Sequence, residues 1–487
     1  MTSLLIAAVL APVGASIVTL LVGWRRSTAS LIAVSAVTVL GCGVALGVRR
    51  APRPEFAMGG LVRVDALTVT MLIVIGIVAT LATWAGVGYI DAELARGNTD
   101  ASGARAYGSL TAAFLAAMVV AVCANNLGVV WVAIEATTVI TAFLVGHRRS
   151  RAALEATWKY VVICSVGIAI AFLGTVLLYY AAEHAGAPAP SALNLDVLAA
   201  YASRLDSGTA RLAGGLLLIG YGAKSGLFPF HTWLADAHSQ SPAPVSALMS
   251  GVLLSVAFSV LLRVRPIVDV AAGSGFMRSG LLAVGLATLL IAALMMTVTP
   301  DLKRMFAYSS MENMGLIAVA AAAGTTLAIA ALLLHVLAHG IGKTILFLAS
   351  GQLQAAHGST AIADITAVLS RSRLVGGSLA VGVVVLLGFP PFALFASELA
   401  IARSLADAHL IWALGAAMLL IAVAFAALVR NSGRVLLGGA VDAPAIVVPR
   451  SVAAALLAGV AASVALGISA GPLAGLFGSV AGAVGVL

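Results

Sequence analysis

The chain has 487 residues, of which 62% are apolar and 9% charged, and its mean hydropathy is +1.11. A soluble domain is roughly 45–50% apolar and about 25% charged, so a water-soluble particle and a disordered chain are both excluded and lipid must coat most of the surface. The net charge of +9 comes from basic residues scattered in ones and twos between apolar runs, without the dense basic stripe and interleaved aromatics of a nucleic-acid surface, so no nucleic-acid partner is expected.

A helix needs about 20 mostly apolar residues to cross a bilayer. That rule predicts about 14 spanning segments, centred near residues 12, 38, 76, 115, 136, 168, 220, 253, 286, 314, 340, 388, 419 and 463. The expected class is therefore an all-α polytopic membrane protein. The first apolar run, Ser3–Val22, has no basic stretch before it and reads as a spanning helix rather than a cleaved signal. The longest polar interruptions, Arg49–Arg63, Asp91–Arg105, Glu183–Arg211 and Arg430–Arg450, are too short for a soluble domain.

Alternating loops divide the charges between two sides. Side one takes Arg25, Arg26, Arg96, Arg105, Arg148, Arg149, Arg151, Lys303, Arg304, Arg371, Arg373, Arg430, Arg434 and Arg450. Side two takes Arg49, Arg50, Arg53, Arg63, Arg204, Arg211, Arg263, Arg265, Arg278 and Arg403. The bias, roughly 14 against 10, places side one in the cytoplasm and both termini outside. This leaves Lys159, Lys224 and Lys343 inside apolar segments, where a charge costs several kcal/mol unless paired or hydrated.

Asp65 opens segment 3 and reads as a helix-start residue. Segment 5, LGVVWVAIEATTVITAFLVG, carries Glu135 near its centre, which reads as a carboxylate paired with a buried lysine or as a structural carboxylate bonded to its neighbours. In segment 6, Lys159 either hands protons between the two halves of the chain or snorkels to the side-one surface. Segment 7, RLAGGLLLIGYGAKSGLFPFHTWLADAH, buries Lys224 and breaks at Pro229. Broken backbone at membrane depth survives where it is buried or lines a wet cavity. A proton-carrying lysine beside a helix break is the functional reading, and a lysine neutralised by Glu135 that braces the fold is the structural one. His231 and His238 flank the end of this segment, as gates or as solvated interfacial residues.

In segment 10, Glu312 is either a central carboxylate or an end cap. Segment 11, ALLLHVLAHGIGKTILFLASGQL, repeats His335, His339 and Lys343 every fourth residue. These form a stripe climbing about 12 Å along one helix face. A neutral histidine donates and accepts a proton at once and suits a relay, with structural polar packing as the alternative. A metal would want a carboxylate where the lysine sits, so no metal is expected. Segment 12 breaks at Pro390 and Pro391, with Glu398 beyond the break. Two broken segments five apart suggest two inverted five-helix repeats. The expected division is 1–106 (helices 1–3), 107–265 (first repeat), 266–432 (second repeat) and 433–487 (helix 14). Cys42, Cys123 and Cys164 form no Cys-x-x-Cys pair, and there is no phosphate loop or dinucleotide fingerprint, so no cofactor is expected in this chain.

The strings KSGLFPFHTWLADAHSQSPAPVSALMSGVLL, DLKRMFAYSSMENMGLIAV, HVLAHGIGKTILFLASG and GFPPFALFASE, which lie between Lys224 and Glu398, resemble the antiporter-like membrane subunits shared by respiratory complex I, Mrp-type Na⁺/H⁺ antiporters and group 4 membrane-bound hydrogenases, a likeness that runs across roughly residues 60–400. WKYVVICSVGIAIAFLGTVLLYY and DAHSQSPAPVSALMSG are most similar to the F-type membrane component of hydrogenase-4. The resemblance implies 14 helices in pseudo-symmetric bundles. It implies that Glu135 and Lys224 form the pair of a first half-channel, that Lys343 is the central lysine and that Glu398 ends a second half-channel. It also implies partners: other membrane subunits and peripheral iron–sulfur and nickel subunits, assembled at the cell membrane. One position departs from many complex I members, which carry Lys or His where this chain has Ser255. Hand-over between half-channels would then need water, the Ser255 hydroxyl or Lys159.

The leading expectation is a proton-translocating membrane subunit of a hydrogenase-4, formate-hydrogenlyase or complex I-like redox complex. A Na⁺/H⁺ antiporter module and a non-pumping scaffold for a peripheral oxidoreductase are the alternatives. Buried charges without a task are expensive, which weighs against the scaffold.

Overall fold

The computed structural model describes residues 1–49, 54–437 and 445–483. Arg50 and Arg53, assigned above to side two, lie outside the described residues. The N-terminal helices are α1 (Thr2–Val22), α2 (Arg26–Arg49), α3 (Ala66–Ala95), α4 (Ala101–Cys123), α5 (Leu127–Val145) and α6 (Arg151–His184). A short α7 (Leu195–Tyr201) precedes α8 (Ser207–Lys224) and α9 (Trp233–Gln240). One long element follows, built from α10 (Ala243–Leu248), a π-helical stretch (Met249–Leu253) and α11 (Leu254–Ala272). Then come α12 (Ser274–Val298), α13 (Leu302–Ala323), α14 (Thr326–His357), a single turn α15 (Val368–Arg371), α16 (Arg373–Leu386), α17 (Ala393–Asp407), α18 (Ile411–Leu437), α19 (Arg450–Ile468) and α20 (Gly471–Ala483).

Among the described residues, 11 helices are long and apolar enough to cross a membrane. The predicted segments 7, 10 and 12 fall short of that measure for physical reasons. Segments 7 and 12 are each split in two, as α8/α9 and α16/α17. Segment 10 is α13, whose first half, LKRMFAYSSMEN, is polar. The all-α expectation misses one small element, an antiparallel pair of β1 (Glu55–Ala57) and β2 (Val62–Val64) between α2 and α3. Its turn uses Gly59 and Gly60 at positive φ, a conformation open to glycine at little cost.

Short polar side chains start the helices. Asp65, Asp100, Asn126, Ser150, Asp206, Asp301, Thr325 and Ser372 each accept a backbone N–H from the first turn that follows, satisfying donors that have no partner inside the helix. Asp65 does more than the sequence suggests. Arg263 on α11 reaches it with Nη1–Oδ2 at 2.6 Å and Nη2–Oδ1 at 3.1 Å, and Arg63 adds a contact at 2.7 Å. Burial pushes the Asp65 carboxyl up, but Arg263 and Arg63 outweigh it and hold it well below the usual carboxylate range.

The centre of the molecule is α14, which is almost wholly buried between both halves of the chain. It crosses the π-helical stretch where Gly251 and Gly340 lie backbone against backbone. A Cβ added at Gly340 would sit 2.7 Å from Gly251 O, and one added at Gly251 would sit 3.0 Å from Gly340 O. Only small residues allow helices this close. The outward faces of α1, α5, α6, α12, α18 and α19 carry exposed Leu, Val, Ile, Phe and Trp, as a lipid-facing surface requires.

Candidate functional site

The break in segment 7 occupies the residues between Lys224, the last residue of α8, and Trp233, the first of α9. Lys224 is fully buried. Its ammonium donates to Thr138 Oγ1 at 3.0 Å and to Tyr160 OH at 2.6 Å. It also lies 4.8 Å from the Tyr160 ring centroid and 6.0 Å from that of Trp233, a cation–π arrangement suited to a desolvated charge. The Tyr160 hydroxyl is also hydrogen-bonded to Thr141. Glu135 lies one turn before Thr138 on α5, half-buried, and accepts from Ser165 Oγ at 3.0 Å. Glu135 and Lys224, expected as a pair, each bond hydroxyls here. Among the described residues no ion pair within 4.0 Å joins them. Thr138 and Tyr160 take two of the three donors of the ammonium.

A second cluster lies where α13, α14 and α17 meet. Lys343 is fully buried and donates to Phe306 O at 2.7 Å and to Ser309 Oγ. Glu312 sits in the middle of α13 and is buried, so it is a central carboxylate; the cap of that helix is Asp301. Asn313 Nδ2 donates to Glu312 Oε2 at 2.6 Å and to Ser309 O at 2.7 Å. Asn313 Oδ1 therefore faces His335 Nε2 at 2.9 Å as an acceptor, which puts a proton on Nε2. His335 Nδ1 meets Ser397 Oγ at 3.0 Å. Ser397 Oγ also lies 2.7 Å from Leu394 O, and one hydroxyl proton serves one acceptor at a time. A neutral His335 takes the Ser397 proton, whereas a charged His335 donates to Ser397 and turns that proton toward Leu394 O. Ser397 is thus a hydroxyl rotor tied to the charge of His335.

Glu398, next to Ser397, folds its carboxylate against Gly388 in the break between α16 and α17. Both breaks therefore carry an ionisable group, Lys224 at one and Glu398 at the other. Pro229, Pro390 and Pro391 lie within these two interruptions.

Other predicted residues are placed differently. Lys159 is half-exposed and bonds Glu155 at 2.6 Å and Asp236 at 3.2 Å. Arg304 of the expected second repeat joins the same Asp236 at 2.5 Å, so Lys159 reaches the surface in an ion-pair cluster that also ties the two expected repeats together. Ser255 is buried on α11 with its hydroxyl unpartnered. His339 is buried one turn before Lys343, and both its ring nitrogens lack partners. His231 is half-buried in the segment 7 break. His238 is not interfacial. It is fully buried on α9 and stacks on Phe347 of α14, with centroids 5.0 Å apart.

Lys303 needs the largest correction. The charge pattern places it in a loop beside Arg304, yet it is fully buried and donates to Ser239 O at 3.2 Å and Ser241 O at 2.8 Å. The carbonyls closing α9 are a natural seat for a cation. Sequence reasoning also misses Tyr160, Thr138, Ser165, Ser309, Asn313 and Ser397. The available signal is a neutral polar residue beside or one turn from an intramembrane charge: Thr138 near Glu135, Asn313 beside Glu312, Ser397 beside Glu398. Among the described residues no cluster of His, Cys, Asp and Glu could hold a metal ion.

Known proteins agree with this architecture. The family described as NADH:quinone oxidoreductase/Mrp antiporter, TM, matches residues 124–424. A hydrogenase-4 component F homolog of Methylacidiphilum infernorum (isolate V4) is 37% identical over 348 residues, 71% of this chain and 73% of that protein. Hydrogenase-4 component B of Escherichia coli (strain K12) is 29% identical over 373 residues, 74% of this chain and 53% of that protein. In fold, the chain is similar to a subunit of an archaeal membrane-bound sulfane sulfur reductase, with TM-score 0.88, 21% identity and 99% and 98% of the two chains covered. By sequence match, the chain belongs to the NADH:quinone oxidoreductase/Mrp antiporter family of antiporter-like membrane subunits.

Proposed function

We propose that this chain is the proton-translocating membrane subunit of a hydrogenase-4 or complex I-like redox complex, in a cell membrane and with both termini on the outer side. The observation that carries the reading is a pair of polar clusters on α5, α6, α8, α13, α14 and α17, with Lys224, Lys343, Glu312 and His335 buried. One is Glu135, Ser165, Tyr160, Thr138 and Lys224. The other is Lys343, Ser309, Glu312, Asn313, His335, Ser397 and Glu398. Residues 107–265 and 266–432 act as two inverted repeats, each contributing one broken segment and one half-channel.

No hydrogen bond links Lys224 to Lys343 among the described residues. Hand-over there runs through water, aided by Ser255 and His238, which both face the interior. A charge displaced by the redox partner draws the Lys224 ammonium off Tyr160 and Thr138 and pushes its proton toward Lys343 and Glu398. Moving one charge against about 100 mV needs about 2.3 kcal/mol, and a change of one pKa unit supplies about 1.4 kcal/mol. Rearranging two hydrogen bonds to a buried ammonium, each worth about 1.5–3 kcal/mol, covers that requirement. Peripheral iron–sulfur and nickel subunits would carry the electrons, a reading supported by the similarity to hydrogenase-4 components.

The test is proton uptake into vesicles carrying the assembled complex. Lys224→Met should abolish it at unchanged subunit level, and removing Na⁺ should leave the parent unaffected. Normal uptake by Lys224→Met would refute the mechanism, and uptake that follows Na⁺ would move the assignment to a Na⁺/H⁺ antiporter module.

A further inference from the structure

Away from the two polar clusters, a groove runs between α12 and α18 on the lipid-facing surface. It consists of two cavities, about 540 and 370 Å³, which share Thr297 and Arg430 in their walls. The larger one opens between Arg430, Arg434 and the Thr299–Pro300 corner. The smaller one continues along α18 past Ala426, Val423 and Ala422 to Leu419.

The depth of the groove matches one leaflet. Leu419 and Arg430 are 11 residues apart, about 17 Å along a helix, against about 15 Å for half a hydrocarbon core. Trp412, exposed at the other end of α18, lies about 27 Å from Arg430 by the same rise. Trp412 and Arg430 thus mark the two interfaces, and the arginines sit at headgroup level.

Arg430 and Arg434 are one turn apart on α18, where like charges repel. Among the described residues neither has an ion-pair partner within 4.0 Å. Arg430 Nη2 donates to Thr297 O at 2.7 Å, which fixes the guanidinium at the junction of the two cavities and leaves most of its donors facing outward. An anion between the two guanidiniums would relieve the repulsion and use these donors.

We propose that this groove binds one anionic phospholipid, with its phosphate between Arg430 and Arg434 and one acyl chain lying along α18 down to Leu419. A basic pocket between helices at the membrane surface, continued by an apolar channel one leaflet deep, fits both ends of such a molecule.

The experiment is native mass spectrometry of the full chain in its complex, after equilibration in vesicles of phosphatidylcholine and phosphatidylglycerol at 3:1. Retained lipid should be enriched about fivefold in phosphatidylglycerol over the vesicle ratio. The double variant Arg430→Gln, Arg434→Gln should return the ratio to that of the vesicle. Ala426→Phe, which keeps both charges and fills the tail channel, should do the same. Retention at the vesicle ratio by the parent, or enrichment unchanged in either variant, overturns the proposal. Displacement of phosphatidylglycerol by millimolar inorganic phosphate assigns the site to a free anion and overturns it as well. Cross-linking from the variant Ala426→Cys to a neighbouring membrane subunit, with no lipid retained, shows that a protein covers the groove and also overturns it.

Discussion

Replacing Asn313 with leucine keeps the volume of the side chain and removes both its polar ends. Asn313 joins three groups: Ser309 O, Glu312 Oε2 and His335 Nε2, at 2.7, 2.6 and 2.9 Å. A buried polar group stripped of its partner costs about 1–3 kcal/mol. Glu312 and His335 together thus lose about 2–6 kcal/mol of stabilisation in the relay geometry. If only about 2 kcal/mol of that enters the barrier to transfer, the step slows about 30-fold. The assay is acidification of vesicles per electron passed, with the amount of assembled subunit measured in parallel. Asn313→Leu should pump at least about 30-fold more slowly at equal assembly. Pumping within twofold of the parent would refute the reasoning, because the Glu312–Asn313–His335 line would then carry no protons.

Three further outcomes follow from the structure. Gly388→Ala should reduce pumping at least about tenfold, because φ is +62° there, a left-handed residue other than glycine costs about 1–2 kcal/mol, and the new Cβ overlaps Glu398 Oε2; Gly377→Ala, which meets nothing within 4 Å, is the silent control in the same vesicle assay. Lys159→Ala should pump within twofold of the parent, since Lys159 belongs to an exposed ion-pair cluster; a large loss would return it to the proton path. Asp65→Asn should lower the thermal stability of the solubilised chain by about 3–5 kcal/mol at pH 7, the cost of breaking a buried pair. The native Asp65 carboxyl titrates below its unfolded value of about 3.9, so its contribution is full above that value and disappears as pH falls through the lower native one; the gap between parent and variant should persist at pH 5 in thermal melts.

What the sequence made legible were the features set by solvation. Composition demanded a membrane protein, the 20-residue rule located the 11 described helices long and apolar enough to cross a membrane among its about 14 expected segments, and Pro229 and Pro390–Pro391 marked the two breaks. The buried charges Lys224 and Lys343 stood out because apolar runs leave them no cheap alternative, whereas Glu312 sits in a polar stretch and read equally as an end cap. Adjacency in sequence misled where tertiary packing decides depth. Lys303 and Arg304 read as one loop pair, but the helix face turns Lys303 inward against Ser239 and Ser241 while Arg304 meets Asp236 outside. His238 read as interfacial because it ends an apolar run, yet α9 carries it back under α14. The partners that hold the charges, Tyr160, Thr138, Asn313 and Ser397, are neutral, so a search for intramembrane charge gave them no contrast. Their significance emerges only once α5, α6, α8, α13, α14 and α17 are packed together.

The central claim is that protons cross through the two polar clusters at the two broken segments, and Lys343 is the one lysine on the central helix. Proton uptake by vesicles of the assembled complex carrying Lys343→Met tests it most directly. The account predicts that uptake falls to the level of vesicles without the complex while the subunit remains assembled. Uptake at the parent rate in that variant would contradict it.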